Sequence, residues 1–182
     1  MKFGLIVLMV SWLVQKDIDY ANRIFLKEVE AVFSAGVAGL QKLDLPEGGE
    51  VAGQFFRVGD TEIAGYAYVG RVNSCRSGGC SNGSGATADV SAEYFDYFIL
   101  FDPAFKVVQV RVFNYQATHG HGIMSKGWLR QFTGYDGSSG LEPGKDIDSI
   151  SGATISVRVI TQDVSDKTRM LRTFNERERG RE

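Results

Sequence analysis

Cysteine and histidine are scarce, with two of each in 182 residues. A zinc site of the C-x-x-C…C-x-x-C type cannot be built from them. Proline is nearly as rare, three against 22 glycines, so the loops turn on glycine. An excess of either charge is also lacking. Twenty Lys and Arg stand against 22 Asp and Glu, a formal net charge of -2. Nothing is left over to neutralise a phosphate backbone, which argues against nucleic acid as a partner. The phosphate-cradling pattern G-x-x-x-x-G-K-[S/T] does not occur. What is present is globular: 43% apolar, 23% charged and 12% aromatic residues, in a chain long enough to bury a core as one domain.

The opening apolar run, Phe3 to Val14, falls short of the roughly 20 residues that cross a bilayer. Behind Lys2 it has the form of a secretory leader, although no clean A-x-A site follows. Residues 1–16 are therefore expected to be a signal peptide or short membrane anchor, with a buried first element of the core as the alternative. Export places the chain outside the cytoplasm, periplasmic or membrane-anchored. Cys75 and Cys80 sit in the Gly/Ser stretch NSCRSGGCSNGSG. An oxidising compartment would let them close a disulfide if their Cα atoms approach within about 7 Å. A redox-active dithiol is the sharper alternative, against which stand the non-CxxC spacing and the lack of a cationic helix start nearby.

Periodicity predicts an amphipathic helix over Tyr20 to Gly36, with Ile24, Val29, Val32 and Phe33 inward. Alternating segments Gln54 to Val58 and Thr61 to Val72 read as strands about a Gly59-Asp60 turn. Tyr94 to Phe101 is a strongly apolar strand. It pairs through Asp102-Pro103 with Lys106 to Tyr115, where Val108, Val110 and Val112 are expected on one face. Ser125 to Phe132 reads as a short helix with Trp128, Leu129 and Phe132 on one side, and residues from Thr154 onward as a C-terminal helix. The class is α+β, a twisted antiparallel sheet with packed helices. A single domain is expected over 17–174, followed by a charged tail over 175–182 that frays.

The chemistry concentrates in Lys145 to Ser156, KDIDSISGATIS. Ser151, Gly152 and Ala153 are small and let backbone approach a ligand. They precede a helix start, whose unpaired N–H groups favour an anion without any Lys or Arg. Thr154 presents a hydroxyl at that point. An ordinary helix-capping threonine is the bland alternative, and a hydrolase reading of Ser151 or Thr154 lacks an ordered acid–base set. Asp148 to Thr154 resembles the flavinylation motif D-x-x-[S/T]-G-A-T of the FMN-binding domain family, which includes the G subunit of Rnf complexes and the C subunit of sodium-translocating NADH:quinone reductase. Thr118 to Ile123 followed by Trp128 to Gly134 is similar to the family's E-T-P-G-L-G and W-x-x-Q-F-x-G segments, with His119 in place of Pro and His121 in place of Leu. The likeness spans about residues 51–164.

The resemblance implies FMN joined through its phosphate to Thr154 by a dedicated flavin transferase, which uses FAD and a divalent metal. Asp148 is then the motif acid, and Ser151, Gly152 and Ala153 line the phosphate. It further implies an electron carrier with membrane or extracytoplasmic redox partners. His119, Gly120 and Trp128 become candidates for cofactor contact, against exposed loop histidines and a core tryptophan. A second S-G-A-T, Ser84 to Thr87, has Ser81 where the motif needs its acid, so Thr87 is not expected to be modified. A flavin-dependent reductase with its own substrate and an exported interaction module without cofactor remain the alternative functions.

Overall fold

The computed structural model describes residues 17–35, 39–45, 53–59, 64–74 and 93–180. The apolar run of 1–16, both cysteines and the second S-G-A-T lie outside these residues. Helix α1 (Arg23–Phe33) starts where Asn22 accepts the N–H of Ile24 at 2.9 Å. It ends at Ser34, which takes a left-handed conformation with φ 53°. Five antiparallel strands follow in simple sequential order: β1 (Leu40–Leu43), β2 (Gly53–Val58), β3 (Gly65–Asn73), β4 (Tyr94–Phe101) and β5 (Val107–Tyr115). Single 3-10 turns at His121–Met124 and Arg130–Phe132 flank a one-turn helix, α2 (Lys126–Leu129). The chain closes with α3 (Thr154–Arg179).

The sheet is covered on both faces. Phe25 and Val29, one turn apart on α1, pack with Phe56, Val58, Ala67, Val69, Phe98 and Leu100. On the opposite face Tyr68, Tyr97, Ile99 and Phe101 meet α2 and the α3 stripe Val157, Ile160, Val164 and Leu171. Central strands β3 and β4 are buried almost throughout, which explains why YFDYFILF shows no alternation. Within it Asp96 is 1% exposed. Arg71 satisfies it at 2.6 and 3.0 Å, and the Asn114 amide donates to it at 2.7 Å, so the buried charge is paired.

Several expectations shift in detail. Helix α1 is shorter than 20–36. Its burial is carried by Phe25 and Val29, while Ile24 is 42% exposed. In β5, Val107 pairs with Phe101 but Gln109 with Leu100, so Val108 is the extra residue of a bulge. Val107, Val110 and Val112 therefore share the α3 face, and Val108 packs on the α1 face instead of beside them. Helix α3 continues through Arg179 into the charged tail, aided by the Arg172–Glu176 pair at 3.1 Å. Among the described residues no helix is long and apolar enough to cross a membrane.

Phe98 has no exposed surface and touches the Phe25 ring at 5.3 Å and the Phe113 ring at 6.2 Å. Replacing it by Ala removes a large side chain from between sheet and α1. The expected cost is about 3–5 kcal/mol, seen as a lower urea midpoint with little change in slope. A loss under 1 kcal/mol would contradict the two-faced burial.

Candidate functional site

The C-terminal ends of β3 and β5, the start of β4 and the N-terminus of α3 meet at one end of the sheet. There Ser74, Glu93, His119, Gly152, Ala153, Thr154, Ile155 and Ser156 line an open cavity of about 260 Å³. Four of the residues singled out in the sequence, His119, Gly152, Ala153 and Thr154, are thereby brought together. Asp148 and Ser151 are exposed on the loop that leads into it.

Thr154 is the first residue of α3 and is exposed. Ala153, at the cap position, offers no side-chain acceptor, and the first turn carries no acid. The opening N–H groups of α3 are thus left without a side-chain cap, facing a cavity that, among the described residues, is lined by no Lys or Arg. Gly152 supplies a left-handed turn at φ 75°, with nothing within 4 Å of where a Cβ would sit. This donor set fits a phosphate group.

The loop before α3 is gripped from behind. The Trp128 indole N–H donates to the Asp148 carbonyl at 2.8 Å, and the Gln131 side-chain oxygen accepts the Asp148 N–H at 2.9 Å. Trp128 itself is buried edge-on against Phe132. It therefore positions the Asp148 backbone from outside the cavity lining. Tyr135 is likewise structural, its hydroxyl bonded to the Ser139 carbonyl at 2.6 Å and to Ser165 at 2.9 Å.

A line of hydroxyls holds the other wall. The Tyr115 hydroxyl donates to the His119 carbonyl in a very short bond. Its single proton is then used, so Ser156 donates to Tyr115 at 3.1 Å and Ser74 donates to Ser156 at 3.3 Å. Burial raises the Tyr115 pKa; the bond to Ser156 opposes this and the Glu93 charge adds to it. Gly120, at φ 90°, lies so close that a Cβ there would strike the Ser156 hydroxyl and approach the Tyr115 hydroxyl to 2.7 Å. His121 tilts on the Tyr115 ring with centroids 4.6 Å apart. Among the described residues no group of three or more His, Cys, Asp or Glu is placed to hold a metal ion.

Ser74, Glu93, Tyr115 and Ser156 were not singled out in the sequence. Ser156 lies two residues past Thr154, one step inside the helix, and that spacing was its available signal. Ser74 lies at the start of the Gly/Ser stretch and Glu93 beyond its end, and neither carries a local pattern.

The arrangement defines an α+β domain with a phosphate-ready helix start at the end of its sheet. Residues 95–167 match the family model described as the FMN-binding domain. The matched span runs from β4 into α3 and contains Thr154 and the Asp148 loop. It leaves out α1 and β1 to β3, which complete the sheet. No curated protein matches the chain.

Gly120→Ala places a methyl group against Ser156 at a disfavoured φ. It should cost about 1–3 kcal/mol in urea unfolding. Adding Ser156→Ala to Gly120→Ala should return part of that loss. Strict additivity in the double-mutant cycle would mean the two residues do not press on one another.

Proposed function

We propose that the protein is an electron carrier holding FMN through a phosphoester to the Thr154 hydroxyl. The observation that carries this reading is the exposed Thr154 at the uncapped start of α3, inside a chain segment that matches the FMN-binding domain. FMN supplies the redox chemistry, and the protein contributes attachment, orientation and electrostatics. The α3 N–H groups neutralise part of the phosphate charge. Trp128 and Gln131 fix the Asp148 backbone, leaving the exposed Asp148 side chain for a maturation enzyme to engage. As lined by the described residues, the cavity beside Thr154 is open, which suits exchange of electrons with partner proteins. A stand-alone reductase needs an enclosed substrate pocket with convergent polar groups, and this open site offers less to support it. The partners of this reading are a flavin transferase and membrane or extracytoplasmic redox proteins. The apolar run behind Lys2 supports export, with the domain held outside the cytoplasm.

Coexpression with a flavin transferase tests the attachment. Intact mass should rise by one FMN less a water, and the yellow colour should survive acid precipitation. Thr154→Ala should abolish both, whereas Thr87→Ala should leave both in place. Asp148→Ala should lower loading at least tenfold while thermal unfolding stays cooperative. Full covalent flavin in Thr154→Ala would end the assignment.

A further inference from the structure

Strand β5 lies at the edge of the sheet, with β4 as its only neighbour in the strand order. It runs for 9 residues, whereas β1 at the other edge has 4. An edge strand turns alternate N–H and C=O groups away from the sheet, where another strand can pair with them. The start of that outer edge is already taken. The Val107 N–H donates to the Tyr135 carbonyl at 2.8 Å, the Gly134 N–H donates to the Val107 carbonyl at 2.7 Å, and the Thr133 hydroxyl donates to the Val108 carbonyl at 3.4 Å. From Gln109 to Phe113, among the described residues, only β4 pairs with the backbone. Part of this stretch, Gln109 to Arg111, lines an open groove of about 510 Å³. Glu28 and Arg111, paired at 3.2 Å, lie on its α1 side. Lys126, Leu129 and Arg130 lie on its α2 side, and both cations are exposed. Neither has a carboxylate partner among the described residues.

We propose that this groove takes an extended, acidic segment of a partner protein, which adds to β5 as a sixth strand of the sheet. Arg111, Lys126 and Arg130 against Glu28 leave the lining positive, on a chain whose formal net charge is -2. Successive side chains of a strand point to opposite faces. A strand laid along β5 sends every second side chain toward α2, where Lys126 and Arg130 favour Asp or Glu. The side chains between them go toward α1. There Arg111 is already paired and Val108 packs with the apolar cluster, so apolar residues are favoured. Backbone pairing supplies affinity, and the alternate carboxylates select the segment. A second copy of this chain suits the groove less. Pairing β5 with β5 about a two-fold axis places Lys126 and Arg130 of the two copies on one face, like charges across the joint. The inference stands apart from the FMN reading.

Nitrogen-15 NMR and amide hydrogen exchange on the full chain test this with two short peptides, one of alternating Glu and Val and one of alternating Lys and Val. The Glu peptide should shift resonances of β5 and α2, and slow exchange of the outward amides between Gln109 and Phe113 by about tenfold. The Lys peptide should bind about tenfold more weakly, and added salt should narrow the gap. Lys126→Gln combined with Arg130→Gln should weaken the Glu peptide by about tenfold. Both side chains are exposed, so the urea midpoint of that variant should stay where it is. A Glu peptide that does not bind, that binds without slowing those amides, or that binds the double variant as well as wild type overturns the proposal. So does a chain that sediments alone as a dimer with those amides already protected, which gives the edge to a second copy. None of these results bears on Thr154, and failure of flavin attachment leaves the groove untouched.

Discussion

The seating of α3 on the sheet is the constraint from which the rest of the site follows. Val157, Ile160, Val164 and Leu171 lie at helical spacing and fill the face made by Tyr68, Tyr97, Ile99 and Phe101. Each such side chain, fully buried, is worth about 1.5–3 kcal/mol. That contact fixes both the axis and the register of the helix. With the axis set, its first turn must fall at the end of the sheet where β3 and β5 finish and β4 begins. Ser156 points inward there and meets Ser74 and Tyr115, while Thr154, two residues earlier, points out. The apolar stripe and the candidate attachment point are therefore one structural decision.

Polar contacts refine what the apolar ones roughly set. Tyr97, buried under α3, donates to Asp163 in a very short bond, and Lys167 holds the same carboxylate at 3.1 Å. Burial first and then the Asp163 charge push the Tyr97 pKa well above its usual value, so it remains a donor. Such a bond between sheet and helix permits fewer slips of α3 than aliphatic packing alone. On the far face, Arg71 and Asp96 do the same between β3 and β4, with Arg71 lying over the Tyr94 ring at 3.8 Å.

Much of this was legible in the residues, for identifiable reasons. The strand pair 94–101 and 107–115 announced itself through aromatic and β-branched density, and α3 through its long apolar period. The place of Thr154 at a helix start was legible in the small residues before it, whereas its proposed role rests on the likeness of Asp148 to Thr154 to the flavinylation motif. The inward face of β5 was misread because a bulge leaves no mark in a valine-rich run; only pairing with β4 reveals that Val108 is the extra residue. The inward set of α1 was misread because Phe25 and Ile24 are adjacent and both apolar, and only the position of the sheet chooses between them. Glu93 and Ser74 were invisible for a different reason. They come from strand ends far apart in the chain, and only the antiparallel pairing of β3 with β4 places them on one wall.

The site sits at the rim, outside both packed layers, and this has a bearing on the order of events in the life of the molecule. Thr154 is exposed in the folded chain, so no side chain of the sheet core must move for it to be reached. An enzyme that modifies this hydroxyl can therefore act on the folded surface. On the proposed attachment, modification can follow folding, and the unloaded molecule is already a complete scaffold.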